Sequence, residues 1–573
     1  MAGTTVSHKT EHHPQPNDPN HGTPEGRRAF LGKLAALGAG AAGIGEFSRF
    51  IDTAEASQIE RLRDSYDYVI VGAGSAGCLL ADRLSASGAS VLLIEAGDNR
   101  LGQSKVALVA DWLRNLGSDT DWARVSVPQT QLDGRQQASP AGRTWGGSGS
   151  INAMIWLRGD PRDHRAWQQL VGPDWNPADL TRAYLQVTQA SQTCGPTASR
   201  ITVGRYADRH PLTAAYLAAG ASTGLAQIEL NAGRRLDGTG VTEVNATADG
   251  RRAGPAQAFL APALTRQNLK VLSNVVVSKL VLQGTTCRGV EVRLGSSVLT
   301  IYATRETIVS AGAAASPQLL MLSGLGPLDQ LAPLNIQVRQ DMPAVGRNFH
   351  DHLLLSVTYK ARTAIAPQVS NGVSTMAYYG GTAFSAPTIQ VAGMQYPFGG
   401  PLAAGEGYTL IPFLAKPRSR GVARLVSADP RQSLALDPNY LADAIDRDTM
   451  IAALDRALDI GAARALASYN GGLQSSAPLR TRADKLAFIR QNAAPGLHFV
   501  GSCAAGRDPA TSVVDARFRV WGIQNLRVVD ASVIPEIPAV NIQPSVLTVA
   551  QLAANQLLAE ARASGAAARG AAC

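Results

Sequence analysis

The feature that most constrains this chain lies between residues 66 and 95. Tyr66-Asp67-Tyr68-Val69-Ile70-Val71 reads as a buried parallel strand and runs directly into Gly72-Ala73-Gly74-Ser75-Ala76-Gly77. Cys78 to Ser87 follows with helical periodicity, and Ser90 to Ile94 is a second apolar strand that ends at Glu95. Strand, GxGxxG loop, helix, strand and acid in register specify a dinucleotide-binding βαβ unit. Gly72 allows the tight turn, Gly74 lets backbone approach a pyrophosphate, and Gly77 lets helix and strand pack closely. Ser75 and Ala76 open the helix, whose unpaired N–H groups face the phosphates. Glu95 is placed to accept hydrogen bonds from a ribose diol. This unit does not separate a flavin from a nicotinamide dinucleotide.

At 573 residues, with 45% hydrophobic residues, the chain is long enough for two domains around a substantial core. The formal net charge of +9 comes from scattered arginines with no basic block interleaved with aromatics, so nucleic acid is not an expected partner. The five cysteines, Cys78, Cys194, Cys287, Cys503 and Cys573, form no CxxC, which leaves zinc and redox motifs without support. No metal site is expected.

The polar stretch up to Gly26 is expected to be disordered. Arg27-Arg28-Ala29-Phe30-Leu31-Gly32-Lys33 then resembles a twin-arginine (Tat) export signal. The apolar run Leu34 to Ile44 is too short to span a bilayer but suits a signal core, and Ala54-Glu55-Ala56 is a small-x-small site with cleavage before Ser57. The expectation is an exported, periplasmic or secreted protein without a transmembrane segment in its mature form.

Further motifs narrow the class. Gly142-Arg143-Thr144-Trp145-Gly146-Gly147-Ser148-Gly149-Ser150-Ile151-Asn152, continuing to Trp156-Leu157-Arg158-Gly159-Asp160, resembles the first signature of the glucose-methanol-choline oxidoreductases. Gly312 to Pro317 with Ser323 to Gly326 resembles the second, and Val345 to His352 and Asn525 to Ser532 are similar to later segments of that family. The resemblance spans residues 65 to 560 and implies an α/β, Rossmann-like FAD-binding domain with a discontinuous α+β substrate domain on an antiparallel sheet. It implies that Gly147, Ser148, Asn152, Ala153, Met154 and Ile155 lie beside the isoalloxazine ring, that Val277 sits on the strand facing the adenine, and that Asp530 and Ala531 follow the last cofactor-binding strand. Some family members attach FAD through a histidine in the first signature. Ile151 stands there in this chain, so FAD is expected to be non-covalent.

The resemblance also supplies a catalytic pair. Gly496 to Cys503 is similar to the segment carrying the family's catalytic histidine, here His498, and Pro538 to Pro544 to the one carrying its His or Asn partner, here Asn541. An imidazole can accept the hydroxyl proton of an alcohol while hydride passes from carbon to flavin N5. The Asn541 amide can donate to the developing alkoxide. Gln543 and Pro544 begin a helix whose positive end would favour reduced, anionic flavin. His350 and His352 read as a structural turn. Phe499 and Ala504-Ala505 depart from the family pattern of Pro after the histidine and Arg-Met after the cysteine, and are expected near the active-site wall.

The expected organisation is a signal and disordered region over 1–56, FAD-binding parts at 61–165, 250–355 and 498–560, substrate parts at 166–249 and 356–497, and a disordered tail at 561–573. The function so implied is FAD-dependent oxidation of an alcohol, with oxygen or a quinone or cytochrome as electron acceptor. Hydroxynitrile-lyase-type or non-redox proteins on the same scaffold are the alternatives. His498 with a hydrogen-bonding partner favours redox chemistry, and the export signal favours a dehydrogenase.

Overall fold

A computed structural model describes residues 62–190, 200–294, 297–399, 401–477 and 479–570. The Tat-type signal, its cleavage site, Cys194 and Cys573 lie outside these residues.

Strand Ser65–Val71 is buried along nearly its whole length, as its continuous apolar run requires, and pairs in parallel with Val91–Ile94 on one side and Ser297–Val309 on the other. Leu269–Leu272 extends the sheet beyond Val91–Ile94. On its side away from Ser65–Val71, the long strand Ser297–Val309 has two partners along its length. Its first half closes an antiparallel meander with Thr286–Leu294 and Val276–Gln283, and its last residues pair in parallel with Leu526–Val528. Val71, Ile94, Val309 and Val528 therefore end at one edge of a seven-stranded sheet. In an open α/β sheet that carboxyl edge is where ligands bind.

Helix Ser75–Ala86 packs on this sheet. Against it lies Gln543–Gly570, which also carries Pro177–Val187 on another flank. Trp167, Trp175, Leu180 and Val187 are fully or almost fully buried in the core of the dinucleotide domain. Each such aliphatic side chain contributes roughly 1.5–3 kcal/mol of burial. Residues 167–187, with Ile201 and Val203, thus pack with the first domain, although 166–249 was expected in the second. The C-terminal helix covers Pro177–Val187, while Trp167 and Trp175 meet Glu536, Ala516 and Phe518, contacts that local pattern does not reveal. The last helix also continues to Gly570, past residue 561 where a disordered tail was expected. Its end is rich in alanine, the strongest helix former. No helix among the described residues is long and apolar enough to cross a membrane.

The second domain is built on a nine-stranded, mainly antiparallel sheet. Its central order is Val357–Ala361, Gly407–Leu414, Ile389–Met394, Val373–Tyr379 and Gly238–Val241. Alternation sorts the side chains. Val391, Leu410 and Leu414 face back into a core with Leu212, Tyr216, Met450 and Leu454 from helices Pro211–Ser222 and Ala444–Ala462. Ala392, Ile411 and Phe413 face forward into another apolar cluster with Leu157, Leu354 and Val540. That front is the face turned toward the C-terminal residues of the site.

Candidate active site

The first half of the site is made of backbone. Gly72 has φ +98°, and its amide donates to Ile94 O at 2.7 Å across the strand ends. A Cβ on Gly77 would collide with the Gly72 carbonyl, and a Cβ on Gly147 would stand 2.8 Å from Gly74 Cα. The first signature therefore lies directly on the glycine loop. Ser75 Oγ donates to Gln543 Oε1 at 3.0 Å, bringing together the first turns of helices Ser75–Ala86 and Gln543–Gly570. Pro544 occupies the second position of the latter and needs no amide partner there. Two converging helix N-termini make an anion site. Gln543 Nε2 and Ser545 Oγ are buried there with no hydrogen-bond partner among the described residues.

Glu95 ends its strand with Oε2 accepting from Ala73 N and Oε1 from Gly97 N, each at 2.8 Å. Burial pushes its carboxyl up to about 7, against the pull of these amides. Each oxygen keeps a lone pair for a diol. At the neighbouring strand end, Asp530 accepts from Gly312 N, Ser316 Oγ, Ser532 N and Ser532 Oγ at 2.5–2.8 Å, which fixes Ala531 beside the sheet edge. Val277 lies on the meander, opposite Val292.

The segment after the first signature is pinned from outside. Gly147 and Ser148 lie in a short 3₁₀ turn, and Ile151 is buried just after it. Asn152 Oδ1 accepts from Met154 N and from Arg252 Nη1, at 3.0 and 2.8 Å. Arg252, almost wholly buried, otherwise donates to the carbonyls of Val106, Gly149 and Asn152. Burial without an acid partner lowers its guanidinium to about 9. Asn371 Nδ2 donates to Ala153 O at 2.5 Å, Met154 adopts φ +58°, and Ile155 pairs with Val244. The backbone of 147–155 is thus held rigidly along the crevice, and Arg252, Asn371 and the buried amide of Gln543 were not singled out from sequence.

The second half of the site is made of side chains. Asn541 Nδ2 lies 3.1 Å from His498 Nε2, and His498 Nδ1 lies 2.9 Å from His352 Nδ1. His352 Nε2 lies 3.0 Å from the Pro538 carbonyl. These contacts fix the protons. A carbonyl only accepts, so His352 carries its hydrogen on Nε2. Burial holds His352 well below the usual histidine range, so it is neutral and its Nδ1 accepts. His498 must then donate from Nδ1, which leaves Nε2 unprotonated, with its lone pair accepting from Asn541 Nδ2. Burial lowers His498 to about 4. The ring keeps some accessible surface, but His352 lies edge-on to it at 5.1 Å and Phe413 nearly parallel at 6.5 Å, so it is poorly hydrated.

Asp351 orients the strand end that carries the base. Its Oδ1 accepts from His498 N at 2.5 Å, and its Oδ2 from Leu497 N at 3.1 Å and Tyr440 Oη at 2.7 Å. Leu497 is held at φ +64°. His350 does a different job: its Nε2 accepts from Ile537 N at 3.1 Å and its Nδ1 donates to Asn348 O at 2.6 Å, a wholly structural pairing. The two histidines read together as a turn therefore separate, one into the turn and one against the base. The DH pair in Val345–His352 was the available signal, but nothing local ties it to a residue 146 positions away.

A buried ion pair ties down the loop that leads to Asn541. Lys416 Nζ contacts Asp163 Oδ1 and Glu536 at 2.8 Å and donates to Ile537 O at 2.7 Å, while Asp163 Oδ2 accepts from Ala539 N at 2.9 Å. The departures from the family pattern lie away from this centre. Phe499 stacks on Phe349 at 5.1 Å, Ala504 is buried, and Ala505 is buried in the dinucleotide-domain core. The expectation that they sit on the active-site wall is corrected: the chain alternates in direction after His498 and sends Phe499 to the opposite side.

A glycine-loop crevice that ends on a neutral imidazole with an unprotonated nitrogen defines a dinucleotide-dependent oxidoreductase. Comparison with known proteins makes this specific. Residues 66–354 and 417–550 match the two family models of the GMC oxidoreductases, and the chain belongs to that family. It is 33% identical over 568 residues to the mitochondrial choline dehydrogenase of Homo sapiens, covering 92% of this chain and 95% of that protein. It is 34% identical over 528 residues to an alcohol dehydrogenase [acceptor] of Pseudomonas putida, covering 85% and 95%. Among solved structures, pyridoxine 4-oxidase from Mesorbium loti superposes with a TM-score of 0.80 at 34% identity, covering 86% of this chain and 98% of that one.

The family's cofactor is FAD, and the crevice fits it. Two helix N-termini and the orphaned Gln543 Nε2 suit a pyrophosphate, Glu95 suits a ribose, and the close approach of Gly147 to Gly74 leaves backbone alone along the path.

Proposed function

We infer that this protein oxidises an alcohol to its carbonyl, with His498 as the general base and FAD bound without a covalent link. The observation that carries the reading is the unprotonated Nε2 of His498 beside the Asn541 amide, fixed by the hydrogen bond from its Nδ1 to His352. An alcohol between His498 and Asn541 gives its hydroxyl proton to His498 Nε2. Asn541 Nδ2 then donates to the oxygen as negative charge grows on it. Bound FAD would supply the acceptor for the hydride that leaves the carbinol carbon. His498 becomes an imidazolium that still donates from Nδ1 to His352, and the proton leaves when product is replaced by solvent. A base held near 4 by burial is unprotonated at neutral pH and takes a proton only as the alkoxide forms.

The relatives support the substrate class: one oxidises choline by name, one an alcohol, and one pyridoxine. Ile151 offers no nucleophile to the flavin, so acid precipitation should release all of it into the supernatant. The twin arginines support export, and Arg27→Lys with Arg28→Lys should strand the precursor in the cytoplasm. An exported location supports a respiratory acceptor over oxygen, to be read as dye reduction with little peroxide in air. The deciding experiment is anaerobic titration of the purified flavoprotein with a panel of alcohols. Bleaching of the flavin band supports the reading. A flavin that none of the alcohols bleaches, in a protein that cleaves cyanohydrins, would replace it with the lyase.

A further inference from the structure

The front of the second sheet meets the base at Phe413. Register places Tyr378, Gln390, Phe413, Leu354 and Ala494 abreast on neighbouring strands. Strand spacing sets Gln390 about 4.8 Å beyond Phe413 as seen from His498. The wall around this row is apolar: Met376, Ala392, Ile411 and Val540 belong to it. Gln390 breaks the pattern. It is 1% exposed, and the hydrogen-bond contact of its amide is Nε2 to the thioether of Met376 at 3.0 Å, a weak acceptor for a group with four hydrogen-bonding positions. Beside it, the Tyr378 hydroxyl is buried with no partner among the described residues. Two adjacent, under-satisfied polar groups on an apolar wall cost stability unless a ligand completes them.

Charge narrows the ligand further. The carboxylates that influence Tyr378 are Asp160 and Asp163. Asp160 is fully engaged by Arg162 and the Leu236 amide, and Asp163 by Lys416 and the Ala539 amide. Asp351 spends both oxygens on Tyr440 and the backbone of 497–498. Among the described residues these carboxylates offer the wall no free anion, and a buried cation without one is strongly disfavoured.

We propose that the substrate is an uncharged alcohol whose apolar body covers Phe413 and whose far end carries a second neutral hydrogen-bonding group, held by Gln390 and Tyr378. This rests on the alcohol-oxidation reading and gives it a substrate class distinct from the quaternary ammonium of the choline dehydrogenases.

The test uses the holoenzyme and three probes: benzyl alcohol, 4-methoxybenzyl alcohol and choline. Anaerobic flavin reduction should favour the methoxy compound over benzyl alcohol by about tenfold or more in kcat/KM. Choline should fall about a hundredfold or more below benzyl alcohol. Gln390→Leu should bring the methoxy-to-benzyl ratio close to one, and Tyr378→Phe, which only removes the hydroxyl, should lower it in the same direction if the first variant does not fold. Choline as the best of the three, or a ratio unchanged in the folded variants, overturns the proposal. If no alcohol bleaches the flavin, the oxidation reading fails, and the pocket is decided separately by the binding of 4-methoxybenzaldehyde and benzaldehyde, read as perturbation of the flavin band. Tighter binding of the methoxy aldehyde, lost in Gln390→Leu, sustains the pocket; equal binding removes it.

Discussion

The crevice at the glycine loop and the centre around His498 lie end to end in one site but are made differently. The crevice is backbone: Gly72, Gly77 and Gly147 matter for the atoms they lack, and its donors are amides at helix ends. The reaction centre is side chain, gathered from residues 351–352, 440, 498 and 538–541, with each partner contributed by a different segment. A crevice of the first kind tolerates almost any side-chain change that leaves the loop's shape. A centre of the second kind tolerates almost any backbone neighbour but loses function with single atoms.

That contrast can be broken most severely at the crevice. Gly77→Val places side-chain carbon into the Gly72 carbonyl at the tightest point of helix–strand packing. The expected outcome is loss of bound flavin altogether, measured as the flavin-to-protein absorbance ratio. A flavin-replete Gly77→Val protein would show that backbone shape is not what selects the cofactor. At the other end, His498→Ala should keep its flavin and lose turnover by about 10²–10⁴-fold, the usual contribution of a general base. Near-normal flavin reduction in that variant would sink the assignment of the base.

The same contrast explains what could be read without coordinates. The strand from Tyr66, the GxGxxG and Glu95 are contiguous, and each residue's role follows from its neighbours in the chain. His498 and Asn541 were reached through long motifs shared with a family, because a lone histidine carries no local mark of its partner. His352, Asp351, Tyr440 and the Lys416–Asp163 pair escaped, since their roles exist only where segments far apart in the chain meet. Residues 167–187 were misplaced for a related reason: Trp167 and Trp175 announce burial but not which surface covers them.

Smaller effects sharpen the comparison within the reaction centre. His352→Leu removes the acceptor that holds the His498 proton on Nδ1 and leaves the Pro538 carbonyl without its donor. Turnover should fall by roughly 10–100-fold, less than in His498→Ala, since the base remains and only its tautomer is unlocked. Lys416→Met leaves Asp163 buried without its cation and frees the loop before Asn541. Its expected signature is a kcat roughly tenfold lower with flavin content unchanged, a loss of orientation and not of binding. A lowered flavin content would make Lys416 a general tie between domains and not a guide for Asn541.

The mildest probe changes no residue. An unfolded His498 takes a proton near its ordinary 6.5, but the folded ring, stripped of water by His352, Phe413 and Asn541, takes it only near 4. The base is active when neutral, so kcat/KM for flavin reduction should stay level as pH falls through 6.5 and decline only as it approaches 4. A pH–rate profile in inert buffers reads the free enzyme directly. The linkage has a definite sign: between 6.5 and 4 the unfolded chain binds protons that the native histidines refuse, so this group stabilises the fold less as pH falls through that window. His164, lowered to about 4 by burial, and His350, lowered to about 3, act in the same direction. Glu95 and Asp351, each raised to about 7 by burial, act against them, because the native state holds protons there that an unfolded carboxylate has lost. Thermal midpoints across pH 4–7 will therefore change less than any one of these groups alone would dictate, while the rate profile still isolates the base. An acid limb centred at 6.5 in that profile would mean that His498 is hydrated and charged in the working enzyme, and the crevice, with its buried amides and helix ends, would then be the only part of the site sealed from water.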